Sequence, residues 1–339
     1  MHWIALPWPW RDESAALPGA GAAMGTLADA AALSAAAGWW ALRFTPRVAL
    51  ADGETVLLEV STTERLWGGR EALLALVLQA WVDASTASAR GAEDAAAKAP
   101  ARSVESQALA SESATAQPPR TSPGGPPCAS AVWGTGSTAL VAQARLRMAL
   151  AGRPCPPQGR AERLPLHTLT ALRPHVASLE RMGCRTWGAL RALPRAGVAR
   201  RLGAGVLQVL DQALGDAPEA HAWLQLPEQF VLTTELPALA ASADALLWSA
   251  SRCLTALQAW LQARQQGVLA LELVWRHDLR RIDGVALPPT QALQVRTAQA
   301  TYDLAHLRRL LAENLARTTL AAPVNQITLR LLESAPLPH

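Results

Sequence analysis

Lysine is almost missing from this chain of 339 residues: of its 31 basic residues only Lys98 is not an arginine, and alanine is abundant throughout. That bias looks like GC-rich coding and carries no function. Cysteine is scarce too. Cys128, Cys155, Cys184 and Cys253 lie far apart, with no Cys-x-x-Cys pair and no histidine at zinc-ligand spacing. A disulfide framework and a zinc site are therefore excluded, and a reducing cytoplasm is the default compartment. Long uncharged apolar runs are also lacking. The Ala- and Gly-rich run from Ser14 to Ala37 lacks a basic start, follows Asp12 and Glu13 and contains Asp29, so it reads as neither a secretion signal nor a membrane span.

Half of the residues are hydrophobic, enough to bury a core and to divide into two or three domains. The 13 tryptophans read as core and interface filler rather than base-stacking platforms. Charge is uneven: residues 1–140 carry 9 basic and 13 acidic side chains, residues 141–339 carry 22 and 14. A basic C-terminal half points toward an anionic partner, with nucleic acid the common choice, against the alternative of a solvated arginine face.

The pattern predicts a first strand at His2–Leu6, then the Pro/Trp punctuation of Pro7 to Trp10 and an Ala-rich helical stretch leading to Trp39 and Trp40. FTPRVAL and GETVLLEVS are two further strands joined at Ala51-Asp52-Gly53, a tight-turn signal. REALLALVLQAW has helical spacing at Leu73, Leu74, Val77 and Trp81. Residues 84–128 are rich in Ala, Ser, Glu, Pro and Gly without apolar periodicity and read as a flexible insertion. Order resumes with a strand, the GTGS turn and a helix; that turn could cradle a phosphate but is more often a plain connection.

Beyond Pro154 to Pro157 come short helices separated by glycine turns at Gly183 and at Gly203-Ala204-Gly205. Such turns leave backbone N–H groups free for a phosphate at the next helix start, with ordinary helix packing as the alternative. From about Gln229 the sequence reads strand, helix, two strands, helix, strand. A βαββαβ sheet with helices on its apolar face would leave Arg276, Gln294, Arg296, Gln326, Thr328 and Arg330 on the open face, a set that suits a phosphate backbone.

FTPRVALADGETVLLEVSTTERLWGG resembles the Y-family translesion DNA polymerases, and within them the ImuB-like branch found in bacterial mutagenesis cassettes. Phe44-Thr45-Pro46 falls on the family's Tyr-Ser-Pro strand and Leu57-Leu58-Glu59-Val60 on its Tyr-Leu-Asp-Val strand. RLPLHTLTALRPHVASLERMGCRTWGALRALPRAGVARRLG is similar to the helix-hairpin-helix thumb, and residues 229–333 to the little finger.

The resemblance implies an α+β multidomain fold. A reduced palm with degenerate fingers would occupy residues 1–83, the insertion 84–128, the rest of the palm 129–153, a thumb-like helical domain 160–220 and a little-finger-like DNA-binding domain 228–333. A polymerase palm gathers two or three carboxylates on a pair of Mg2+ ions. Here HWIALPWPW holds no carboxylate, the family's Asp-Glu pair is replaced by Glu54-Thr55, and Glu59 matches a structural acid beyond the pair. The fingers segment has no lysine and only Arg11 and Arg43 near its ends, which argues against triphosphate binding. Ala171-Leu172-Arg173-Pro174 stands where the thumb's first hairpin has Gly-x-Gly, leaving Gly183, Arg185, Thr186, Gly203 and Gly205 as the better backbone-binding candidates.

The expectation is therefore a catalytically inactive polymerase-like DNA-binding adaptor in SOS-type translesion synthesis, cytoplasmic at the nucleoid, with no metal or cofactor and no membrane. Its partners, implied by the resemblance alone, are primer-template or damaged DNA, a RecA-like ImuA protein and an error-prone replicative-type polymerase. The branch also binds the sliding clamp through a C-terminal tail, but this sequence stops at His339. Its nearest glutamine-hydrophobic string, QLPEQF at Gln225 to Phe230, reads as a linker. An active Mg2+-dependent polymerase is the alternative and would need Glu54 together with Asp12 or Asp52. A truncated or decayed homologue is the third reading.

Overall fold

The computed structural model describes residues 2–8, 36, 38–97, 132–282 and 284–337. β1 (Trp3–Pro7) is followed by a 3-10 turn at Trp39–Arg43 and by the hairpin of β2 (Val48–Ala51) and β3 (Thr55–Glu59). Helix α1 is Arg70–Ala97, β4 is Gly134–Gly136 and α2 is Ala139–Leu150. These strands form one antiparallel sheet of order β2-β3-β1-β4.

Alternation sorts that sheet into two apolar faces. Trp3, Ala5, Ala49 and Leu57 meet Ala139, Ala142 and Leu146 of α2. Ile4, Leu6, Val48, Val56 and Leu58 face Trp39, Trp40 and Phe44 together with Leu73, Val77 and Ala80 of α1. The closeness of α2 to β4 explains the glycines of GTG: a Cβ at Gly134 would lie 2.2 Å from the Ala142 carbonyl oxygen, and one at Gly136 would lie 2.6 Å from the Ala142 nitrogen.

Helix α1 overruns the expected start of the insertion at residue 84. Its continuation to Ala97 has no apolar stripe in sequence but is rich in alanine, a residue of high intrinsic helix propensity. The remainder of that expected insertion, and most of the Ala-rich stretch expected to be helical before Trp39, lie outside the described residues.

The middle of the chain is a cluster of short helices: α3 (Val176–Arg181), α4 (Trp187–Arg191), α5 (Arg195–Leu202) and α6 (Ala204–Leu214). Its core gathers Leu164, Leu166, Leu172, Leu179, Trp187 and Leu210 on Val141, Ala144 and Met148. Helix α2 thus serves two cores, one with each side.

The C-terminal part runs β5 (Val231–Ala240), α7 (Ala243–Arg264), β6 (Gln266–His277), a small hairpin of β7 (Arg281–Ile282) and β8 (Val285–Ala286), β9 (Thr290–Thr301), α8 (Leu304–Leu315) and β10 (Val324–Pro336). Its four-stranded antiparallel sheet has the order β5-β10-β6-β9, and both long helices lie on one face. Helix and antiparallel sheet together make the mixed α+β class expected from the sequence. The small hairpin between β6 and β9 is an addition to the expected pattern.

The two sheets share one apolar core. Trp39 meets Phe230 edge-on at 6.2 Å, Phe230 meets Trp260 of α7 in the same way, and the cluster is continuous from β1 to β10. The connecting segment is pinned as well: Leu224 N–H donates to the Val48 carbonyl at 2.7 Å, and Trp223 stacks on Trp3 with centroids 6.0 Å apart. No helix among the described residues is long and apolar enough to cross a membrane.

Candidate nucleic-acid interface

The β2-β3 turn, with positive φ at Asp52 and Gly53, carries the acids that a metal site would need. They are held instead by α2. Arg147 donates Nε and Nη2 to Glu54 Oε1 at 2.9 and 2.7 Å, Nη2 to Asp52 Oδ2 at 2.5 Å and Nη1 to the Thr168 carbonyl at 2.6 Å. Gln143 Nε2 and Thr170 Oγ1 donate to the same Asp52 oxygen at 2.9 and 2.7 Å. Burial by itself would raise the Asp52 pKa, but the hydrogen bonds from Thr170, Arg147 and Gln143 and the Arg147 charge outweigh it and hold the carboxyl below its usual range. Thr55 is buried in β3 opposite Pro7.

Glu59 has a different setting. It is 1% exposed, accepts from Arg47 Nη1 at 3.2 Å, from Ser61 N–H at 3.1 Å and from the Ser61 hydroxyl, while Thr45 Oγ1 donates to its carbonyl at 2.7 Å. This carboxylate fastens the Thr45-Pro46-Arg47 entry to the end of β3. Among the described residues no group of three His, Cys, Asp or Glu side chains could hold a metal ion, and Asp12 lies outside them.

The GTGS turn is already occupied. Thr138 Oγ1 accepts from Val141 N–H at 3.2 Å, and the Glu219 carboxylate accepts from Ala139 and Leu140 N–H at 2.8 and 3.0 Å. An internal anion fills the place a phosphate would take, which leaves the turn as the plain connection that its sequence favours.

In the helical cluster the two candidate turns differ. At the first, Gly183 ends α3 and Arg185 is exposed, but the Thr186 hydroxyl is spent as the N-cap of α4, accepting from Ala189 N–H at 3.2 Å. At the second, Gly203 has φ 93° and ψ 152°, a conformation open in practice to glycine alone, and no side chain caps the start of α6. The first N–H groups of α6, those of Ala204 and Gly205, are therefore uncapped on an exposed turn. Arg201 Nη1 lies 3.3 Å from Met182 Sδ, which brings the end of α5 against the Gly183 turn. Arg200 and Arg201, in that last helical turn, were not singled out from sequence; their signal was the run ARRLG itself.

On the C-terminal sheet Arg276, Gln294, Arg296, Gln326, Thr328 and Arg330 all stand on the face away from α7 and α8. The register makes rows across it: Val231, Arg330, Glu272 and Gln294 form one, and Glu235, Gln326, Arg276 and Thr290 another. This face is not a pure basic strip. Glu272 lies 3.6 Å from Arg330 Nη1 and accepts from Gln294 Nε2 at 3.1 Å, Glu333 pairs with Arg296, and Arg276 Nε donates to Asn325 Oδ1 at 3.2 Å. Arg330 and Arg296 are thus partly neutralised and held in place by acids, and Arg276 is held by a neutral amide.

The chain is 29% identical over 290 residues, 85% of its length, to the protein ImuB of two Caulobacter vibrioides strains, NA1000 / CB15N and ATCC 19089 / CIP 103742 / CB 15. It spans about half the length of these curated relatives, 52%. No protein-family model matches. Superposition on solved structures is loose: DinB from Sulfolobus solfataricus aligns at TM-score 0.33 and 11% identity over 91% of this chain and 78% of that one. An insertion ternary complex of Dbh DNA polymerase aligns at TM-score 0.32 and 12% identity over 91% and 77%.

Proposed function

We propose that this chain, an ImuB-like homologue of the Y-family polymerases, is a DNA-binding adaptor in damage-induced mutagenesis that adds no nucleotides itself. The observation that carries this reading is the state of the Asp52-Glu54 turn. A palm that works with two metal ions keeps its carboxylates free for them. Here the acids are bound to Arg147, whose side chain is 10% exposed, and to Gln143 and Thr170, and both faces of the sheet behind them are covered by apolar side chains.

DNA would be held by two surfaces. The open amides before α6, with Arg185, Arg200 and Arg201 nearby, offer donors to phosphate oxygens. The open sheet face offers Arg276, Arg296 and Arg330 among amide and hydroxyl groups that can donate to the backbone without reading sequence. A RecA-like ImuA protein and an error-prone replicative-type polymerase are the partners proposed for the adaptor.

Fluorescence anisotropy of the purified chain on primer-template DNA across a salt series tests the binding. Affinity should fall steeply with salt, and alanine at Arg276, Arg296 and Arg330 together should flatten the log–log slope by about 2 to 3, since each phosphate contact contributes about 0.9. An unchanged slope would remove the sheet face from the interface. Primer extension with Mg2+ or Mn2+ tests the silence. The convergence of Asp52 and Glu54 on Arg147, with Arg173 also 3.6 Å from Glu54, keeps a second reading in view, an active polymerase in which these arginines swing aside. Nucleotide addition abolished by Glu54→Ala would establish that reading instead.

A further inference from the structure

The opposite end of β1 from the Asp52-Glu54 turn opens into a cleft of about 360 Å3 between the first sheet and the helical cluster. Its walls include His2, Arg70, Arg145, Gln158, Glu162 and Arg191. Arg145 is the anomaly. Only 7% exposed, it donates Nη1 to the Thr135 carbonyl at 2.8 Å and Nη2 to the Pro157 carbonyl at 3.1 Å and lies against the neutral Cys155 thiol, while Nε has no partner. No carboxylate lies within ion-pair distance of it among the described residues. A buried cation without a counter-ion is costly, and such groups are ordinarily paired.

The acids around the cleft, Glu64, Glu162 and Asp216, answer His2 and Arg191 and leave Arg145 and Arg70 without a carboxylate partner among the described residues. Arg70, exposed at the first position of α1, is answered by a long 3.4 Å contact to Gln158 Oε1 and by no carboxylate among the described residues. His2 places Nδ1 3.3 Å from Glu64 Oε1 and leaves Nε2 buried without a partner. Of the three guanidiniums, only that of Arg191 is paired, with Glu162 at 3.2 Å and Asp216 at 2.9 Å.

We propose that this cleft is an anion site for a phosphoryl group, either free pyrophosphate or the terminal phosphate of a nucleic-acid strand. Guanidinium groups from α1 and α2 line the same cleft and can donate to the oxygens of a tetrahedral phosphoryl group, and the bound anion supplies the counter-charge that Arg145 lacks. The site lies apart from the open sheet face and does not depend on the DNA reading of that face.

Calorimetric titration of the full chain with sodium pyrophosphate tests the site. One anion should bind per chain, and Arg70→Ala, an exposed change that leaves the helix intact by circular dichroism, should weaken it about tenfold or more. The triple alanine variant of the sheet face should bind pyrophosphate as the unaltered chain does. Displacement of pyrophosphate by a 5′-phosphorylated oligonucleotide but not by its unphosphorylated twin assigns the site to strand ends. Displacement by neither assigns it to a free small anion. Absence of binding at low millimolar pyrophosphate, or equal affinity in Arg70→Ala, overturns the proposal.

Discussion

Arg147 joins three parts of the molecule through one guanidinium: the β2-β3 turn at Asp52 and Glu54, its own helix, and the Thr168 carbonyl at the edge of the helical cluster. Replacing it with alanine leaves Asp52 to Gln143 and Thr170 alone and takes the nearest cation from Glu54, for which Arg173 stands at 3.6 Å. Because Asp52 and Glu54 are 36% and 24% exposed, solvent screens part of the loss, and the expected cost is about 1 to 3 kcal/mol by urea denaturation. The same contact predicts a pH dependence. A carboxyl depressed in the fold stabilises above its unfolded pKa, about 3.9, and that contribution disappears as pH falls through the lower folded value. The melting temperature should therefore drop below about pH 4, and Asp52→Asn should make that limb shallower. The acids of GETVLLEVS were legible as a question about metal. Their answer was not, because the partner lies 93 residues from Glu54 and 95 from Asp52, and spacing carries no information over such separations.

Among the elements, α2 shows where pattern reading succeeds and where it stops. Its existence and the strand before it were legible from GTGSTALVAQARLRMA, but its capping was not. The Glu219 carboxylate that satisfies its first amides comes from about 80 residues away. Glu219→Ala should cost about 1 kcal/mol in chemical denaturation, as loss of a helix cap does, and should not change DNA affinity. Helix α1 departs in the opposite direction: polar, aperiodic sequence was read as loop, whereas the backbone is helical to Ala97 in a stretch rich in alanine, a strong helix former. The C-terminal sheet was the most legible element because a period of two separates Ile327 and Leu329 from Gln326, Thr328 and Arg330 without ambiguity. Glu272 stood in the same alternation as Arg276, whereas Glu333 is out of phase with Arg330 and meets Arg296 only through the register shifts of β10 around Glu333, so neither pairing could be read without the register.

For the whole molecule, that pairing bears on how tightly DNA can be held. If the sheet face meets phosphates, its acids oppose the approach of the backbone. Glu272→Gln with Glu333→Gln should tighten binding several-fold at low salt, with the gain shrinking as salt rises. A loss of affinity would mean that the acids act chiefly by orienting the arginines. The division of the chain expected from sequence set a boundary near residue 228. At that boundary the apolar core of the first sheet continues into α7, with Trp39 against Phe230 and Phe230 against Trp260. Cutting the chain there would uncover an apolar flank rather than release an independent module. A fragment of residues 228–339 is expected to self-associate in sedimentation velocity, whereas one extended back to include residues 1–83 should not. Motion of the C-terminal sheet relative to the first would have to break Trp39 from Phe230, so any strand of DNA that bridges the two must accept the angle these aromatic rings have already set.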